Sequence, residues 1–196
     1  LTSGAGNDQI DTTAIANGRE NLSLGDGNDT ARVGTGQARV DLGYAGSDLL
    51  VADLSTSTNT VRMLDTGYGW WRITDGVRGG NQVDFLNVEV VDFTGGAGDD
   101  RLRGFGGGDV LRGGAGADLL IGYEGDDVLT GGAGADIFRV WAGSGNDTIT
   151  DAGAGDAIRV DGLNAGGAIG VVADNGASTG NNQVQMQSDG TDTWLY

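Results

Sequence analysis

A large apolar residue returns every nine positions between Gly95 and Arg139, at Leu102, Leu111, Leu120, Leu129 and Phe138. Each sits in a three-residue run such as Val110-Leu111-Arg112, which points outward, inward and outward as a short strand. The six residues between runs, for example "GGAGAD", can only turn, because Gly tolerates the positive φ values that tight turning needs. Two nonapeptides therefore make one coil of 18 residues with two strands and two turns. Stacked coils give two parallel sheets whose inward Leu and Phe residues pile into one core. The predicted fold is all-β, a parallel solenoid.

Outside that window the pattern weakens without vanishing. "SGAGNDQID" at Ser3–Asp11, "LGDGNDTAR" at Leu24–Arg32 and "GYAGSDLLV" at Gly43–Val51 place Asp two after a Gly, at Asp8, Asp29 and Asp48. Their steps of 21 and 19 residues are close to one full coil, so only one edge would carry such turns there. The opposite turns fall to stretches such as "IANGREN" and "VGTGQAR". From Ala52 to Thr94 the frame is lost, but "NTVRML", "WWRIT" and "QVDFLNVEVVDF" remain strand-like, with β-branched and aromatic residues between turn clusters. Asp65 and Asp84 keep an approximate 18-residue spacing towards Asp100. The expectation is a solenoid that continues without metal; a separate small β domain is the alternative. Past Asp151 come irregular strands suited to cap an array, ending in a hairpin about Asp189-Gly190. The expected divisions are 1–94 for degenerate coils, 95–150 for the regular array and 151–196 for the cap, all in one continuous solenoid.

Charge adds the chemistry. The formal charge of −17 comes from 28 acidic residues, 25 Asp and 3 Glu, set against 11 Arg and no Lys. A merely solvating surface would use both acids, so the excess of the short carboxylate points to turns and fixed ligand geometry. Nucleic acid is an unsuitable partner, because phosphate needs a basic face. No apolar run reaches the roughly 20 residues of a membrane span. With no Cys there is no disulfide. The first and last residues read as interior sequence, so the chain is expected to belong to something longer.

Strands stack about 4.8 Å apart, and calcium takes oxygens at about 2.3–2.6 Å. Two oxygens on opposite sides of one ion are thus about one coil apart. Asp100, Asp118 and Asp136 would line one edge, and Asp109 and Asp127 the other. Backbone carbonyls of the Gly turns, Gly96 and Gly98, Gly107, Gly114 and Gly116, Gly125, and Gly132 and Gly134, would complete each shell. Asp8, Asp29 and Asp48 form a sparser candidate file near the start.

These residues resemble the RTX, or hemolysin-type calcium-binding, repeat GGxGxDxUx. The match is specific over Gly95–Arg139 and extends to "AGSGNDTIT" at Ala142–Thr150, adding Gly145 and Asp147 as candidate ligands. The resemblance implies a right-handed parallel β-roll, calcium (Ca2+) held between turns, and export from a bacterium by a type I system. Phe105 and Tyr123 depart from it by replacing the second Gly, both on the edge of Asp109 and Asp127.

Other signals carry less. "GASTG" at Gly176–Gly180 matches the nucleophile elbow, but the chain has no His to serve Ser178 as base, so it reads as a turn and no enzyme is expected. "GYGWWRITDG" gathers Tyr68, Trp70 and Trp71, which suit packing before glycan stacking. A flexible Asp/Gly linker would not keep Leu and Asp in register over five units. The expected function is a calcium-dependent structural segment of a large secreted or cell-surface bacterial protein, of adhesin or surface-layer type, whose partners are calcium and possible neighbouring domains or copies. The alternatives are the folding and secretion module of an extracellular hydrolase, and a ligand-binding adhesive domain.

Overall fold

The computed structural model describes every residue except 14–18, 79, 142–143, 162–169, 174–185, 189–192 and 196. Its strands, numbered along the chain, form two main sheets. An eight-stranded sheet contains β1 (Gln9–Asp11), β3 (Thr30–Val33), β5 (Leu49–Asp53), β9 (Val90–Thr94), β11 (Val110–Ala115), β13 (Val128–Ala133), β15 (Asn146–Ile149) and β17 (Gly170–Ala173), in that order. A nine-stranded sheet runs from β2 (Arg19–Ser23) and β4 (Gln37–Asp41) through β8 (Gln82–Leu86), β7 (Trp70–Thr74) and β6 (Arg62–Gly67). It continues with β10 (Arg101–Arg103), β12 (Leu119–Ile121), β14 (Ile137–Trp141) and β16 (Ala157–Asp161). Apart from β6 to β8, the chain alternates between the two sheets, so the architecture is an all-β parallel solenoid of about seven turns, with no helix among the described residues.

The nonapeptide register is realised strand by strand. Leu111 pairs with Leu129 in one sheet, while Leu102, Leu120 and Phe138 pair in sequence in the other. All five of these apolar side chains are fully buried. Burying each contributes roughly 1.5–3 kcal/mol relative to leaving it exposed, and each one stacks on its counterpart a coil away. The N-terminal coils use the same alternation with other residues, Val40, Leu42, Leu50 and Ala52 being fully or almost fully buried.

Residues 52–94 keep to the expected solenoid in one respect and depart from it in another. They belong to the solenoid, and not to a separate domain, because β8 pairs in parallel with β4, β9 with β5, and β10 with β6. Yet they are not an ordinary coil either, since β7 runs antiparallel to both β6 and β8. A three-stranded antiparallel meander thus occupies one sheet where the expected solenoid has only parallel strands. Asp65 and Asp84 are not turn positions continuing the spacing: Asp65 is exposed near the end of β6, and Asp84 points outward from β8 into an ion pair with Arg72. Their approximate spacing arises within the meander strands, where it has no coil meaning.

An aromatic group fills the junction between the meander and the regular coils. Trp71 and Phe105 meet edge to face at 5.3 Å, and Phe85 lies 5.9 Å from both Phe93 and Phe105. The C-terminal strands β18 (Met186–Ser188) and β19 (Thr193–Leu195) pair antiparallel, as a hairpin requires. The turn at Asp189-Gly190, "GASTG" with Ser178, and the "IAN" of "IANGREN" lie outside the described residues.

Candidate metal-binding edges

The turns that lead into β1, β3, β5, β9 to β14 and β16 end on a carboxylate, and successive coils align these carboxylates into two files. On the edge entering the eight-stranded sheet, the backbone N–H of Asp8 donates to Asp29 Oδ1 at 2.8 Å, and that of Asp29 to Asp48 Oδ1 at 2.8 Å. Further along the same edge, Val91 N–H donates to Asp109 Oδ1 at 2.7 Å, Asp109 to Asp127 at 2.8 Å, and Asp127 to Asp147 at 3.2 Å. On the edge entering the nine-stranded sheet, Val61 N–H donates to Asp100 Oδ1 at 2.7 Å and Asp100 to Asp118 at 2.7 Å. Asp118 then donates to Asp136 at 2.9 Å, and Asp136 to Asp156 at 2.9 Å.

Two members of these files have no counterpart in the sequence reading. Glu89 Oε2 accepts the Asp48 N–H at 3.0 Å and so bridges the sparse file to the regular one. Asp156 closes the other file, although its Gly frame is shifted to Gly153 and Gly155. The legible signal for Asp156 is its place two residues before Ile158, which pairs with Phe138. No Gly frame marks Glu89. The residue preceding the Asp also forms an outer ladder, with Asn28 Oδ1 taking the Ser47 N–H and Asp126 Oδ1 the Asn146 N–H.

The glycines create the space that these files occupy. A Cβ on Gly113 would collide with Asp118 Oδ2, and one on Gly104 or Gly122 with the Oδ2 of Asp109 or Asp127. At the second and fourth places, a Cβ on Gly132 would strike the carbonyl oxygen of Gly114, and one on Gly134 that of Gly116. Gly132 and Gly134 also hold φ of 99° and 148°, where only Gly is unstrained. The Gly carbonyl oxygens of one coil therefore lie directly against the Gly backbone of the next.

Phe105 and Tyr123 escape that crowding differently. Phe105 avoids positive φ and turns its ring into the aromatic junction, while its N–H donates to Asp109 Oδ2 at 2.6 Å. Tyr123 accepts φ of 75° and stacks on Trp141 at 5.2 Å. Both lie on the edge of Asp109 and Asp127.

Electrostatically the files are unbalanced. Asp29, Asp48, Asp100, Asp109, Asp118, Asp127, Asp136 and Asp147 are all at most 3% exposed. Their Oδ1 atoms accept amide hydrogens, but the Oδ2 atoms of Asp29, Asp118, Asp127 and Asp136, and of the less buried Asp8, are enclosed without any hydrogen-bond partner. Burial pushes the carboxyls of Asp118 and Asp127 up to about 7, with neighbouring carboxylates adding to the rise. Burial likewise raises Asp109 and Asp48 to about 6, and it raises Asp100, Asp136 and Asp147. Buried charges without partners are costly, so this arrangement calls for a cation.

The available donors are carboxylate and carbonyl oxygens, with no His or Cys anywhere in the chain, which suits a hard divalent ion and not zinc or copper. No three carboxylates converge among the described residues, so such an ion would depend on Gly carbonyls as well as on Asp. Residues 92–120, 103–138 and 139–158 match the RTX calcium-binding nonapeptide repeat, in four copies. The chain carries RTX repeats. RTX repeats bind Ca2+, in keeping with the oxygen-only donor set and the enclosed Oδ2 atoms. The matches leave residues 1–91 outside, so the N-terminal file rests on its own geometry. Comparison with curated proteins gave no match. RTX proteins are typically secreted by bacteria.

Proposed function

We propose that this RTX chain is a structural segment of a large secreted or cell-surface bacterial protein, of adhesin or surface-layer type, that folds when it meets extracellular calcium. The observation carrying this reading is the pair of buried carboxylate files with enclosed, unpartnered Oδ2 atoms. In the absence of an ion, like charges about one strand spacing apart oppose stacking, and 40 Gly residues add chain entropy to the unfolded state. With an ion between coils the same groups hold them together, so metal binding and folding are one equilibrium.

At residue level, Asp100, Asp118 and Asp136 with the carbonyls of Gly96, Gly98, Gly114, Gly116, Gly132 and Gly134 would hold calcium along one edge. Asp109, Asp127 and Asp147 with Gly107, Gly125 and Gly145 would do so along the other, and Asp8, Asp29 and Asp48 in a single file near the start. The array of 95–150 supplies most of the calcium dependence, 1–94 supplies apolar coils, and 151–196 caps the end. The segment acts as scaffold and has no catalytic role.

Circular dichroism in chelator and then in calcium tests the reading. The expected result is a weakly structured spectrum that becomes β on adding roughly millimolar calcium, the range of extracellular sites. A β spectrum unchanged by chelation would overturn it. Calorimetric titration of Asp118→Ala should show lost stoichiometry, because this residue connects the coils of Asp100 and Asp136.

A further inference from the structure

The two sheets present opposite chemistry to solvent. Eight of the eleven arginines lie in strands of the nine-stranded sheet, against two in the eight-stranded one. Trp70 and Trp141 are in the nine-stranded sheet too, whereas Val, Thr and Asp dominate the outer positions of the other. A chain of net charge −17 therefore folds into a molecule with one arginine-rich face, its acids being concentrated in the turns.

Cross-strand register sharpens the point. Arg62 and Arg101 are direct partners on neighbouring strands, as are Arg139 and Arg159. Like charges directly opposite destabilise a sheet, and only the second pair is relieved, by the contact of Arg139 with Asp161. Arg62, Arg101, Arg103 and Arg159 form no ion pair among the described residues, and all but Arg103 are exposed. A scaffold has no use for this repulsion, but a ligand that places anions over the face would reverse its sign.

Aromatic rings are set among these cations. The Arg39 guanidinium lies 3.9 Å from the Trp70 ring centre, and Arg39, Thr66, Tyr68, Trp70 and Asp84 line a shallow hollow of about 230 Å³. Tyr68 at the hairpin tip is fully exposed. At the other end Arg139 lies 4.7 Å over Trp141, which Tyr123 stacks against. Guanidinium forks match carboxylate and sulfate in bidentate fashion. Flat aromatic rings offer apolar faces of the kind sugar rings stack on.

From this pairing of cations with rings on one flat face, we infer that the outer face of the nine-stranded sheet docks an acidic polysaccharide, laid along the solenoid axis. The anionic groups neutralise the Arg62–Arg101 and Arg139–Arg159 pairs, and a pyranose face rests in the hollow beside Trp70 and the exposed Tyr68. A lipid surface fits less well, because the outer apolar side chains of this sheet, such as Leu119 and Ile137, are half-buried and level with the strands.

The test uses the calcium-loaded chain with heparin as probe, neutral dextran as control, and polyglutamate and phosphatidylglycerol vesicles as rival polyanions. Heparin should bind, dextran should not, and the two rivals should bind more weakly. Reversing Arg101→Glu with Arg103→Glu should weaken heparin binding at least about tenfold, the loss of one or more charge-assisted contacts. The same charge change on the other sheet, Arg32→Glu with Arg112→Glu, should leave affinity within about twofold. Trp70→Ala should weaken heparin but not polyglutamate. Dichroism in calcium checks that each variant is folded, and Arg159→Glu replaces the first pair if that pair fails to fold. Absence of heparin binding, equal loss from both sheets, or vesicles or polyglutamate binding as tightly as heparin would overturn the inference.

Discussion

Asp118 and Asp127 show at the scale of one residue why the turns need an ion. Their Oδ1 atoms already accept an amide hydrogen, yet burial still lifts their carboxyls to about 7 from an ordinary value of 3.8. A carboxyl whose folded value is raised keeps more protons in the folded state than in the unfolded one. In the absence of calcium its contribution to stability is full below about pH 4 and is lost as pH rises through about 7. The calcium-free chain should therefore gain β structure on acidification from pH 8 to pH 5, read by circular dichroism in chelator. Calcium affinity should move the other way and fall on the same acidification, since the ion competes with those protons. A calcium-free β signal independent of pH would contradict both. Gly132 makes the steric argument: Gly132→Ala places a Cβ on the Gly114 carbonyl at a φ of 99°. The strain should lower stability by about 1–3 kcal/mol in saturating calcium, measured by urea denaturation.

Within an element, the inward row and the turn can be separated. Leu120 is fully buried between Leu102 and Phe138, so Leu120→Ala should destabilise the calcium-loaded chain by roughly 2–5 kcal/mol while leaving the number of bound ions unchanged. Phe105 gives a less obvious outcome. Restoring the repeat's glycine, Phe105→Gly, improves the match to the pattern but removes the ring that meets Trp71 and Phe85. It should destabilise the chain by roughly 2–4 kcal/mol despite that better match. A variant as stable as the parent in a urea melt would show that the aromatic junction is dispensable.

Across the whole molecule, the two carboxylate edges and the meander divide the response to chelation. Both edges are loaded with Asp from Asp100 to Asp156, one edge from Asp8 to Asp48, and the meander strands carry no carboxylate file among the described residues, being held instead by apolar packing through Met63, Ile73, Val83 and Phe85 and by the Arg72–Asp84 pair. Apolar burial does not depend on calcium. Partial chelation should accordingly raise hydrogen exchange in the C-terminal array before it does so in β6, β7 and β8, as resolved by peptide. Loss of protection in the meander first, or anomalous calcium density at Asp65 or Asp84, would refute this division.

Gly, Asp and Leu recurring every nine residues determined the parallel solenoid, its inward ladder and the two files of carboxylates. Local chemistry sufficed there, because a repeat stacks only on copies of itself and its register follows from its period. The meander was beyond that logic. Whether "WWRIT" runs parallel or antiparallel is decided by which neighbours pair with it, and that depends on β10 stacking on β6 and β8 on β4. Glu89 and Asp156 were hidden for the same reason, since each reaches its file through the coil stacked beside it and not through a local frame. The segregation of arginine onto one sheet is tertiary too: scattered along the chain, these residues come together only when alternate strands are sorted to opposite sides of a shared core.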